Sequence, residues 1–90
     1  MTVQSAEAVT QVLGKITARY MKVDPETLLP QTNLVQRDLG SLEIMRIVGH
    51  LRKAGIRAEV MELAAKPTLE DWTQHLLGIL PADELVTRLR

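Results

Sequence analysis

The stretch R37-DLGSLEIMRI-47 decides how this chain is read, because it places one serine between a glycine and a strongly apolar helical pattern. Stepping at about 100° per residue from Ser41 gathers Ile44, Ile47, Val48 and Leu51 on one side of a helix. Leu42 and Met45 fall on the opposite side, with Gly49 one turn further on and Arg46, Arg52 and Lys53 beside them. Two bulky apolar residues next to a hydroxyl and a bare glycine form a small patch of the kind that meets partners. Met suits such a surface, since its flexible side chain repacks at little cost. Ser41 opens the helix, where a serine side chain can satisfy a free backbone N–H. Gly55, after Arg52 and Lys53, supplies the stop.

Working outward, the preceding segment, residues 21 to 40, is broken by Pro25 and Pro30 and is rich in turn formers. A structureless connection of that length is unusual in a small domain. Its widely spaced Val23, Leu28, Leu34 and Leu39 read as anchors of an ordered loop containing one helical turn. Before it, Ala6, Val9, Val12, Leu13, Ile16 and Tyr20 have helical spacing, predicting a helix from about Ser5 to Tyr20 with Gly14 off the apolar stripe. After Gly55, IRAEV alternates like a strand but has no partner strand, so it is a connector. VMELAA, residues 60 to 65, predicts a short helix ended by Pro67. Thr68 and Asp71 have capping-box spacing, opening a third long helix with Leu69, Trp72, Leu76, Ile79 and Leu80 as its stripe. Trp72 is read as core. Residues 1 to 80 then form one domain, and Pro81 to Arg90 a tail whose Leu85, Val86 and Leu89 suggest a short helix that packs on the bundle or docks onto a partner. The fold class is all-α: a bundle of three longer helices and one short one, with a long loop between the first two.

Composition narrows the functions. Ninety residues, 46% of them hydrophobic, suffice for one modest core. A formal net charge of +0 without a basic run argues against a nucleic-acid partner. With no Cys, disulfides, thiol nucleophiles and thiolate metal sites are excluded. His50 and His75 lack carboxylates at ligand spacing, so no metal site is expected; His50 is read as a solvated surface residue and His75 as an ordinary residue flanking its helix's apolar stripe. No base or oxyanion partner accompanies Ser41, so no catalytic residue is assigned. No apolar run approaches the ~20 residues that span a bilayer, and the start of the chain lacks signal-peptide blocks. A cytoplasmic, monomeric, non-catalytic protein is expected.

These residues resemble the phosphopantetheine-dependent carrier domains, the acyl and peptidyl carriers. VDPETLLPQTNLVQRDLGSLEIMRIVGHLRKAGI follows their plan of anchored loop and second helix, and LAAKPTLEDW is similar to the peptidyl group's junction between its third and fourth helices. The tryptophan is similar to that of aryl carrier domains of siderophore assembly lines, which accept an aromatic acid. The resemblance covers roughly residues 5 to 80 and implies an acyl-carrier-like four-helix bundle. It implies that Ser41 receives a covalent 4'-phosphopantetheine arm from coenzyme A, attached by a phosphopantetheinyl transferase. The arm's thiol would hold an acyl, aminoacyl or aryl group as a thioester. Further implied partners are an adenylate-forming ligase or adenylation domain and a downstream condensing, tailoring or transferase enzyme, with no nucleic acid and no membrane. Leu42, Met45, Arg46 and Gly49 would be the docking residues. Helix 2 carries Arg46, Arg52 and Lys53 against Glu43 alone, which favours the peptidyl or aryl branch over the acidic fatty-acid carriers. The initiator Met1 and the length lead us to expect a freestanding carrier for nonribosomal peptide or related secondary metabolism.

One departure stands out. The family line Gly-Leu-Asp-Ser-Leu reads Asp38-Leu39-Gly40-Ser41-Leu42 here. In the family the missing aspartate helps the transferase engage, so Gly40 implies weaker modification unless Asp38 partly substitutes. The alternative reading is a degenerate carrier, an interaction module without the arm.

Overall fold

The computed structural model describes residues 5–90, and among them it contains five helices and no strand. Helix α1, Ala6–Met21, begins where the Ser5 hydroxyl accepts the Ala8 N–H at 3.4 Å. It ends one residue later than the sequence predicts, at a left-handed Lys22 whose N–H closes on Ala18. Its stripe of Val9, Leu13 and Ile16 is buried. Gly14, expected off the stripe, is buried too, because a side chain of the fourth helix crosses it. A Cβ on Gly14 would stand 3.3 Å from Leu69 Cδ1, so its bareness sets how closely the two helices approach.

The long connection is ordered, with two short 3-10 turns, Pro25–Thr27 and Val35–Arg37, where the sequence suggests one. Leu28, Leu34 and Leu39 are the buried anchors, while Val23 is half-buried. Backbone bonds fix the loop from a distance: the Leu34 N–H donates to Pro67 (2.8 Å) and the Glu70 N–H to Pro30 (3.0 Å). The loop is therefore stitched to the Pro67–Glu70 corner, satisfying polar groups that burial would otherwise strand.

Helix α2 runs Ser41–Lys53, with Ile44, Ile47, Val48 and Leu51 buried as the periodicity requires. Gly55, at φ +85, makes the left-handed turn that lets the Ile56 N–H reach Leu51. The connector Ile56–Glu59 contains no strand and buries Ile56 and Ala58. Arg52 is drawn into it, donating to the Ala58 carbonyl at 3.1 Å, so it is a structural residue as well as part of the basic face.

Helix α3, Val60–Ala65, coincides with its sequence expectation. Helix α4, Leu69–Leu77, is capped by Thr68, which accepts the Asp71 N–H at 3.1 Å. The Asp71 carboxylate reaches the Thr68 hydroxyl (2.9 Å) and not its N–H. Helix α4 is shorter than expected. It stops at Gly78, leaving Ile79 and Leu80 in the turn, because glycine is a poor helix residue and Pro81 disfavours helical backbone before it. Trp72 is core, and its Nε1–H donates to the Leu63 carbonyl at 2.9 Å, joining α4 to α3.

The tail is a fifth helix, α5, Ala82–Leu89, and it packs on α1 and α4 with Leu85, Val86 and Leu89 buried. Arg88 Nη1 ties it to the end of α2 through the Ala54 carbonyl, 3.2 Å away. The architecture is the expected all-α bundle extended by one helix. No helix of the described residues is long and apolar enough to cross a membrane.

Candidate functional site

Glycine 40 is extended, at φ −99 and ψ 174, and is the N-cap of α2; Ser41 is the first helical residue. This corrects the expectation that Ser41 caps the helix. Nor does its hydroxyl take part in any hydrogen bond among the described residues, so the side chain stands exposed at the helix start. The cap comes from the other direction. Glu43 folds back and accepts the Gly40 N–H on Oε1 at 3.0 Å, which is the carboxylate half of a capping box. Glycine has no side chain to complete the other half.

That geometry suits a phosphodiester. The first N–H groups of a helix have no carbonyl of their own turn to bond, and the helix dipole favours an anion at this end. An exposed hydroxyl on the first residue places an attached phosphate beside them. Leu39 behind the serine is 3% exposed and anchors the loop's end, its N–H donating to Leu34 at 3.0 Å. The serine therefore sits on a rigid mount. Asp38 is exposed and left-handed, at φ 74, closing the turn Val35–Arg37. No hydrogen bond links its carboxylate to Ser41 or Gly40.

On the outer face of α2, Leu42 is 54% and Met45 55% exposed, as the wheel predicts. Arg46 and Gly49 are exposed beside them, and a side chain at position 49 would enter open space. Three further exposed apolar residues escape the sequence reading, one of them Leu29 in the long loop. Val35, in the loop entering α2, is half-exposed, and Met61 on α3, the helix that packs against α2, is largely exposed. Val35 follows the buried Leu34 in a short 3-10 turn, and Met61 lies two residues before Leu63, the one buried residue of α3, on the helix's other side.

His50 is less solvated than expected. His50 is half-buried, its Nδ1 3.2 Å from the Tyr20 hydroxyl with the rings edge to face, and so joins α2 to α1. His75 Nε2 accepts the Glu59 N–H at 3.4 Å. Among the described residues no group of three or more His, Cys, Asp or Glu is placed to hold a metal ion.

Comparison with known proteins bears on the same segment. The family model described as the phosphopantetheine attachment site matches residues 11–76. The chain is 36% identical over 69 residues to the phenyloxazoline synthase MbtB of Mycobacterium tuberculosis strain H37Rv, covering 77% of this chain and 5% of that protein. It is 36% identical over 64 residues to the isochorismatase of Bacillus subtilis, covering 71% of this chain and 20% of the relative. Over 54 residues it is 39% identical to the pseudomonine synthase PmsE of Pseudomonas entomophila, covering 60% of this chain and 9% of the relative. The chain thus spans only a small part of the curated relatives it matches. No solved structure matches it significantly. Since the family model spans the anchored loop, all of α2 and the Thr68 corner, the chain belongs to the phosphopantetheine-attachment family of carrier domains, whose cofactor is a covalently held 4'-phosphopantetheine.

Proposed function

We propose that Ser41 is the attachment point of the arm, and that the chain holds an acyl, aminoacyl or aryl group on it as a thioester. The cargo passes to partner enzymes of nonribosomal peptide or related secondary metabolism. The observation that carries this reading is the Ser41 hydroxyl itself: exposed, without a hydrogen bond among the described residues, and at the first turn of α2 inside the family-matched segment. The similarity to a phenyloxazoline synthase favours an aromatic acid as cargo. On this reading the chain performs no chemistry. A phosphopantetheinyl transferase attaches the arm, an adenylate-forming ligase or adenylation domain loads it, and a condensing or tailoring enzyme receives the cargo. Leu42, Met45, Arg46 and Gly49 are the docking residues we assign on α2, with Arg46 giving the face a positive charge.

The test is incubation with coenzyme A and a promiscuous phosphopantetheinyl transferase, followed by intact-mass measurement. Wild type should gain one arm and Ser41→Ala none. A second reading, a degenerate carrier used as an interaction module, is favoured by Gly40, which removes the aspartate before the serine. It predicts no mass gain in wild type.

A further inference from the structure

Position 40 lacks a side chain, yet the space beside Ser41 is not without a carboxylate. A Cβ built on Gly40 would lie 2.8 Å from Glu43 Oε1, inside any ordinary contact distance. The Glu43 carboxylate has folded into the place that a side chain at position 40 would fill, and it is held there by the Gly40 N–H at 3.0 Å. Glycine leaves this place open to the carboxylate, which would have to shift to share it with a side chain at position 40. Glu43 is also half-buried, so its position is restrained and not merely one rotamer of a free surface side chain. Asp38, the other acid of the motif, takes no part in this arrangement.

From this we infer that Glu43 supplies the negative charge beside Ser41 that the modifying transferase engages, so that Gly40 and Glu43 together do the work of one acidic residue before the serine. The inference rests on Ser41 being the attachment point. In the transfer, the Ser41 oxygen bonds to the phosphorus nearer the pantetheine and the pyrophosphate bridge of coenzyme A breaks. Adenosine 3',5'-bisphosphate leaves with the electron pair, and the serine proton passes to a base of the transferase. Glu43 is a positioning residue in this step. Its carboxylate offers a charge-assisted contact to a cationic group on the transferase, stronger than a neutral hydrogen bond and directional.

Glu43→Gln separates charge from structure. Glutamine still accepts the Gly40 N–H in a capping box, so the helix start is kept while the charge is lost. Initial rates of arm attachment would be read by intact mass with coenzyme A for wild type, Glu43→Gln and the double variant Gly40→Asp/Glu43→Gln. Melting curves would be recorded for each. We expect Glu43→Gln to melt close to wild type and to lose about tenfold or more in kcat/KM for the carrier, the size of a charged hydrogen bond. The double variant should regain most of that loss. The rate advantage of wild type over Glu43→Gln should shrink as salt is raised, because exposed charges are screened. Equal rates for wild type and Glu43→Gln would overturn the inference and leave Ser41 as the attachment point. So would a slow double variant. Modification of the double variant alone would overturn both this inference and the arm on the natural chain, as the degenerate carrier predicts. No gain of mass in any of the three overturns the attachment at Ser41 itself, and this inference with it.

Discussion

Leucine 42 and Met45 give the docking assignment its sharpest test, because they sit on the same helix as Ile44 but face the other way. Ile44 is 4% exposed, whereas Leu42 and Met45 are 54% and 55% exposed. Fully burying such a side chain contributes about 1.5–3 kcal/mol, so covering the exposed half of one of them in a complex contributes about 0.8–1.5 kcal/mol. Leu42→Ala or Met45→Ala should accordingly raise the Kd for a partner by roughly 4- to 13-fold. The two residues are one turn apart, so the double variant need not equal the product of the singles. Free-protein stability should change by no more than about 0.5 kcal/mol, as for surface substitutions. Ile44→Ala should cost about 2–5 kcal/mol, which in a domain of this size lowers Tm by roughly 8 °C or more. The assay pairs thermal melting with titration of the carrier against its transferase in single-turnover attachment. Wild-type affinity in both alanine variants would remove these residues from the docking surface. A Tm loss matching Ile44→Ala would show that they are core.

Other outcomes follow from specific contacts. Leu85→Ala should destabilise by about 2–5 kcal/mol, since Leu85 is 0% exposed, and a melting curve unchanged by truncation after Leu80 would contradict the packing of α5. Gly49→Ala adds a methyl group in open space within an exposed helix face and should stabilise by up to about 1 kcal/mol; a drop in partner affinity in that same, more stable variant would place Gly49 in the interface. Gly55→Ala should destabilise by more than about 1 kcal/mol, because φ is +85 and Arg88 lies where the new Cβ would go; denaturant melts decide it.

Much of the bundle is legible in its punctuation. Pro67 and Thr68 mark the α3–α4 corner, Gly55 the end of α2, and the alternation of Ile44, Ile47, Val48 and Leu51 its buried face. Where sequence reading falls short, a distant segment intervenes. Gly14 looks like a stripe defect until Leu69, far along the chain, is seen lying across it. The tail's stripe is short and uncertain by itself, and only the facing sides of α1 and α4 make it core. His50 looks solvated because Tyr20 is not visible to helical periodicity, and neither is the Ala58 carbonyl that the exposed Arg52 reaches. The site shows the same limit at short range. A serine at a helix start suggests a cap, but Gly40 precedes a glutamate three residues on, and that spacing was the available sign that the cap lies one residue earlier. The consequence is functional. Ser41 is released from capping, so Ser41→Ala should leave stability within about 0.5 kcal/mol of wild type while abolishing modification, as melting and intact mass together would show.

The attachment point itself can be read from one peptide. Trypsin cleaves after Arg37 and Arg46, releasing Asp38–Arg46, in which Ser41 is the only hydroxyl side chain. Protein treated with coenzyme A and transferase, digested and fragmented, should carry all of its added mass on that peptide, at Ser41. Added mass on any other peptide, or an Asp38–Arg46 peptide recovered wholly unmodified, would contradict the assignment of this chain as an arm-bearing carrier.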